Sequence, residues 1–140
     1  MLEINNELLA MSFLKKIFGE NKNKKEIKKQ IPWISLTSLD QLENIYKESH
    51  IKPVAIFKHS TRCGISRMAL RQFEKQLNLE MSSVKLYYLD LLIYRDISNE
   101  IASRFKVSHQ SPQLIILKNG TAIHKSSHHD IDATILVNYI

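Results

Sequence analysis

The chain of 140 residues contains a single cysteine, Cys63, and its position invites chemistry. Cys63 follows the apolar run Pro53-Val54-Ala55-Ile56-Phe57 and the polar loop His59-Ser60-Thr61-Arg62. It then opens a segment whose apolar residues recur at helical spacing. The start of a helix offers unpaired backbone N–H groups and a partial positive charge. Arg62 is its immediate neighbour and Arg67 lies one turn on. Each of these features favours thiolate over thiol, and the thiolate is the nucleophile of thiol–disulfide exchange. The competing description is an inert cysteine packed as a small hydrophobe. Arg62, Gly64 and Ser66 make a poor apolar cage. With one cysteine, an in-chain disulfide is impossible, and so is a zinc or iron–sulfur site built from several protein cysteines. Any disulfide must take its second sulfur from another molecule.

Ser66 stands three residues after Cys63, where a Cys-x-x-Cys helix carries its resolving cysteine. A hydroxyl there can donate to the thiolate or satisfy first-turn backbone, but it cannot resolve a mixed disulfide. Ser111-Pro112 precedes the apolar run Gln113–Leu117. A proline there fits simple turn chemistry at a strand start. It equally fits a cis-proline clamp, in which the backbone of Ser111 pairs with an extended substrate. The six histidines (His50, His59, His109, His124, His128, His129) show no zinc pair on an expected helix, and no metal site is expected. His59 is the exception, close enough in sequence to tune Cys63.

Composition sets the frame. Apolar residues make up 44% and charged residues 24%, ordinary values that exclude wholesale disorder and fibrous classes. No apolar run approaches the ~20 residues that span a bilayer. No basic start leads into an apolar block of signal-peptide length, so a cytoplasmic protein is expected. The net charge of +6 is concentrated near the N-terminus. It suits acidic small ligands or weak nucleic-acid contact without requiring either, and no nucleic-acid partner is expected. Residues 1–30 form a basic extension. Residues 20–30 are Lys-rich and read as a solvated linker, while Phe13, Leu14, Ile17 and Phe18 recur at helical spacing. That short segment reads as a surface or partner anchor, or as a marginal helix with no such role. Met11 is an alternative start.

Residues 31–140 alternate regularly. Pro32–Leu36 is an expected edge strand, and a helix capped by Thr37 or Ser38 follows to Lys47, with Leu39, Leu42, Ile45 and Tyr46 inward. Pro53–Phe57 is a strand buried on both faces. The Cys63–Leu77 helix should turn Ile65, Met68, Ala69, Phe73 and Leu77 inward. Val84–Leu92 is a strand and Ile97–Phe105 a helix. Gln113–Leu117 and Thr121–Lys125 form a hairpin about Asn119-Gly120. Asp130 should cap a last helix bearing Ile131, Ile135 and Tyr139 on one side. The order β-α-β-α-β-α-β-β-α predicts a thioredoxin-like α/β fold, a mixed sheet of four to five strands flanked by helices.

The strings Lys58-His59-Ser60-Thr61-Arg62-Cys63-Gly64-Ile65-Ser66 and His109-Gln110-Ser111-Pro112-Gln113 resemble those of the monothiol bacilliredoxins, over roughly residues 31–140. Where that family usually carries Thr-Cys-Pro-Ile-Ser, this chain has Arg62-Cys63-Gly64-Ile65-Ser66. The resemblance implies a cytoplasmic monomer that removes bacillithiol, its co-substrate, from S-thiolated proteins, with no bound cofactor. It implies that Cys63 attacks the mixed disulfide, with Arg62 and Ser66 supporting it. Ser60, Thr61 and Gly64 would cradle thiolate and ligand, Ser111 before cis-Pro112 would clamp the substrate, and Asp130 would hold the ligand's polar end. The Cys63-Gly64 pair also resembles the Cys-Gly-Phe-Ser turn of monothiol glutaredoxins, which makes an iron–sulfur carrier the alternative. A non-catalytic adaptor docking through residues 1–30 is the third reading.

Overall fold

The computed structural model describes residues 30–140, so the N-terminal extension and the question of Met11 lie outside the described residues. The elements are β1 (Ile34–Ser35), α1 (Asp40–Glu48), β2 (Val54–His59), α2 (Gly64–Gln76), β3 (Lys85–Asp90), α3 (Arg95–Phe105), β4 (Gln113–Lys118) and β5 (Thr121–Ser127). A 3₁₀ turn spans Leu79–Ser83, and two more cover His128–Asp130 and Ala133–Tyr139. The sheet runs β1-β3-β2-β4-β5. β1, β3 and β2 are parallel, and β4 and β5 are antiparallel to their neighbours. The five-stranded mixed sheet follows the expected element order.

β2 is buried along its whole length, as its apolar run predicts for a central strand. Successive side chains alternate between faces. Val54 and Ile56 join Leu42 and Ile45 of α1 and Ile97, Ile101 and Phe105 of α3 in the main core. Phe57 faces the other way and meets Phe73 of α2 at 5.3 Å between ring centroids. Trp33 stacks on Phe73 at 5.8 Å and donates through Nε1 to Glu74, pinning the chain ahead of β1 onto α2. The hairpin turns through Asn119 (φ 53°) and Gly120 (φ 75°), the left-handed pair that an Asn-Gly turn supplies. A Cβ on Gly120 would also fall 2.5 Å from Tyr46 Cε2.

Several local expectations are corrected. Neither Thr37 nor Ser38 caps α1. The Gln41 side chain instead accepts from both of their backbone N–H groups, at 2.7 and 3.1 Å, and the helix starts at Asp40. Leu39 and Tyr46 are exposed, leaving Leu42 and Ile45 as the buried face. In α2 the buried residues are Ser66 and Phe73, while Ile65 and Met68 point to solvent. At the C-terminus Asp130 caps nothing. His128 adopts φ 54° and Ile131 is extended, so no helix can start there. Asp132 caps the last 3₁₀ segment, accepting from Thr134 N–H at 2.9 Å.

Candidate active site

β2 delivers its last residue, His59, into the interior, and the chain then reverses. Cys63 N–H donates to the Ser60 carbonyl at 3.1 Å, closing a four-residue turn that contains Thr61 and Arg62, both exposed. Cys63 takes extended backbone angles (φ −100°, ψ 123°) and occupies the N-cap of α2. An N-cap side chain is placed to accept from the first-turn N–H groups. Cys63 makes no such bond here, so those donors stay available to a thiolate or to a substrate oxygen. Cys63 is partly exposed rather than fully buried.

The positive surroundings are unneutralised. The ion pairs among the described residues are Lys85–Glu48, Arg104–Glu43 and Arg104–Glu100, and none involves Arg62 or Arg67. The Arg67 guanidinium folds back over the helix start, 3.9 Å from the position of a Cβ on Gly64. That same distance leaves ordinary room for a side chain at Gly64. Cys63 is extended, as a residue preceding proline must be, and the first helical position favours proline. Gly64→Pro is therefore expected to stabilise the fold by about 0.5–1 kcal/mol through the unfolded chain. A lower urea midpoint for the variant would show that the first turn needs glycine.

Of the two roles open to Ser66, the structure shows the bond to backbone. Its hydroxyl is fully buried. It accepts from Ser60 N–H at 3.0 Å and is hydrogen-bonded to His59 Nδ1 at 2.7 Å. Burial, first, pushes the His59 pKa below the ordinary histidine value, and Arg67 adds to this while Asp90 and a hydrogen bond to the Ser66 backbone oppose it. The bonds from His59 to Ser66 and from Ser60 to Ser66 hold the turn before α2 together. These bonds also rotate Ser66 into the interior, which explains why Ile65 and Met68 face outward.

His109 and His124 are likewise lowered by burial. Unfolded histidines take up protons near pH ~6.5 and these folded ones only below it, so the unfolded state binds more protons in that window. Stability should fall as pH drops from 7.5 to 5.5, read as a lower urea midpoint. Lys58, lowered to about 8, begins to lose its proton in the folded state at the upper end of that range, and this acts in the same direction. An unchanged or higher midpoint at pH 5.5 would contradict the lowered histidine pKa values.

The Ser111–Pro112 peptide is cis. Lys58 of β2 pairs with Gln113 of β4, so the Cys63 turn after β2 and the Ser111–Pro112 peptide before β4 emerge at the same end of adjacent strands. Ser111 Oγ is buried and has no partner among the described residues. Pro112 C=O accepts from His128 N–H at 3.1 Å, tying the turn His128–Asp130 to the cis-proline segment. Exposed Asp130 lines a cavity of about 430 Å³ with Ser108, Gln110, Gln113, Lys125 and Ser127. Cys63 does not line that cavity, so Asp130 shares a wall with the proline loop rather than with the sulfur. Sequence reasoning missed one pair altogether: Lys58 is fully buried and bonded to His109. The only signal was a lysine directly after the apolar run of β2.

Solved structures share this architecture. A proposed oxidoreductase with a thioredoxin fold is 36% identical, with a TM-score of 0.65 over 76% of this chain and 92% of that one. Malassezia sympodialis thioredoxin is 22% identical with a TM-score of 0.60, over 75% and 88% of the two chains. Trypanosoma brucei brucei thioredoxin is 26% identical with a TM-score of 0.52, over 72% and 79%. Fold and site together define a thiol oxidoreductase of the thioredoxin fold. Its single cysteine narrows that class further. The family described as Monothiol bacilliredoxin BrxC matches residues 34–136, and the chain belongs to it. Among the described residues no helix is long and apolar enough to cross a membrane.

Proposed function

We propose that this protein removes bacillithiol from S-thiolated protein cysteines by monothiol exchange at Cys63. One observation carries the reading: the chain's only cysteine is partly exposed at the N-cap of α2, with no second cysteine in the chain. The Cys63 thiolate attacks the bacillithiol sulfur of the mixed disulfide. A Cys63–bacillithiol disulfide forms as the original S–S bond breaks, and the protein cysteine leaves as thiolate and takes a proton from water. A second low-molecular-weight thiol then attacks the adduct, supplying the reducing electrons and freeing Cys63. Arg62 and Arg67 supply positive charge suited to the carboxylates of the bacillithiol malate. Ser60, Thr61 and the N–H groups from Gly64 onward cradle the sulfur, the Ser111 backbone pairs with the substrate, and the Asp130 cavity takes the polar end of the ligand. The protein works as a cytoplasmic monomer without a bound cofactor.

Intact-mass measurement tests this. Incubation with bacillithiol disulfide should add one bacillithiol to the protein. A protein that gains no such mass, or that fails to release bacillithiol from a thiolated protein, does not have this activity.

A further inference from the structure

Lysine is almost never fully buried without a pairing charge, because its ammonium loses its hydration. Lys58 is 0% exposed. Its alternation with Val54 and Ile56 turns it toward the α1/α3 face of the sheet. No carboxylate pairs with it among the described residues. Its hydrogen-bond partner is His109 Nδ1, at 2.7 Å. Burial lowers its pKa to about 8, which still leaves the ammonium charged at pH 7. A methionine of similar length would avoid that desolvation, so a purely structural role explains the lysine poorly.

The bond reaches one particular loop. His109 lies in Ser108–Pro112, the segment ending in the cis peptide. Its ring stays at the surface with Nδ1 turned inward, where Ser98 Oγ of α3 also lies 3.3 Å away. To accept from Lys58 the ring must be neutral. Burial first, then the Lys58 and Arg95 charges, lowers its pKa and keeps it so. Gln113 is the cross-strand neighbour of Lys58, and it is also buried. Its Nε2 donates to Ser108 C=O at 3.1 Å and its Oε1 accepts from Gln110 N–H at 3.4 Å. Two buried polar side chains on adjacent strands therefore reach into the same loop.

We propose that Lys58 is a positioning residue for substrate binding: through His109 it holds the Ser108–Pro112 backbone where that backbone can pair with the extended segment of a thiolated protein. The tether stands on the geometry, and only its purpose rests on the function proposed above.

Lys58→Met removes the donor and keeps the length. Hydrogen exchange of the 108–112 segment should rise about tenfold, the scale of losing one bond to a charged group, while α2 exchanges as before. The KM for an S-bacillithiolated protein should rise by a similar factor, with kcat and the rate of Cys63 alkylation by iodoacetamide unchanged. His109→Ala, at a surface ring, should reproduce both effects if the Met variant folds poorly, and the double variant should add little. Unchanged loop exchange in both variants overturns the tether. Raised exchange with an unchanged KM overturns its role in binding. A wild-type protein that does not dethiolate at all overturns the proposed function, and the exchange result still judges the tether.

Discussion

Cys63→Ser should yield a protein with no dethiolation activity and a higher melting temperature. The activity loss is at least ~10³-fold, because serine at this position has neither the acidity nor the nucleophilicity of a thiol and no adjacent base replaces them. The stability gain follows from the backbone. Residue 63 already has the extended angles of an N-cap, and its sulfur makes no capping bond. A serine hydroxyl can accept from the first-turn N–H groups, which is worth about 0.5–1 kcal/mol. Cysteine therefore holds a capping position at the expense of stability, consistent with helix-start donors kept for chemistry. Intact mass after disulfide treatment, together with a thermal melt, reads both effects. A variant that keeps activity would remove Cys63 from the reaction, and a variant that melts earlier would show that the N-cap assignment is wrong.

Ser66→Ala carries the second large effect, with the opposite sign for stability. The hydroxyl is buried, and its removal strands the Ser60 N–H and His59 Nδ1 together. Orphaning buried groups of this kind should cost about 2–3 kcal/mol. The loss also loosens the turn that aims Cys63, so the dethiolation rate should fall ~10- to 100-fold even though Ser66 does not touch the sulfur. Denaturant unfolding and steady-state rates measure the two parts. A stable but slow variant would point to a direct hydroxyl–thiolate bond. A variant unchanged in both respects would show that the His59–Ser66 bond is not formed in solution.

The placement of Cys63 was legible because it is local. A buried run, a polar turn, a cysteine and then helical spacing place a thiol at a helix start wherever the rest of the chain goes. Asn119-Gly120 sets its hairpin for the same reason, since the left-handed angles are a property of two adjacent residues. Ser111-Pro112 left two readings open, because the isomer depends on surroundings the string does not contain; the fold holds it cis.

Other features depended on what the chain meets after folding. Periodicity placed Ile65 and Met68 on the inward face of α2, but hydrogen bonds from Ser66 to residues before the helix set its rotation. Asp130 and Asp132 are equally good caps as letters, and the backbone at His128 and Ile131 chose between them. Lys58 and His109 are 51 positions apart and meet only because β2 and β4 pair in one register. Short-range geometry is written in neighbouring residues, whereas the partners of a buried polar group are assigned only when the sheet closes and water leaves.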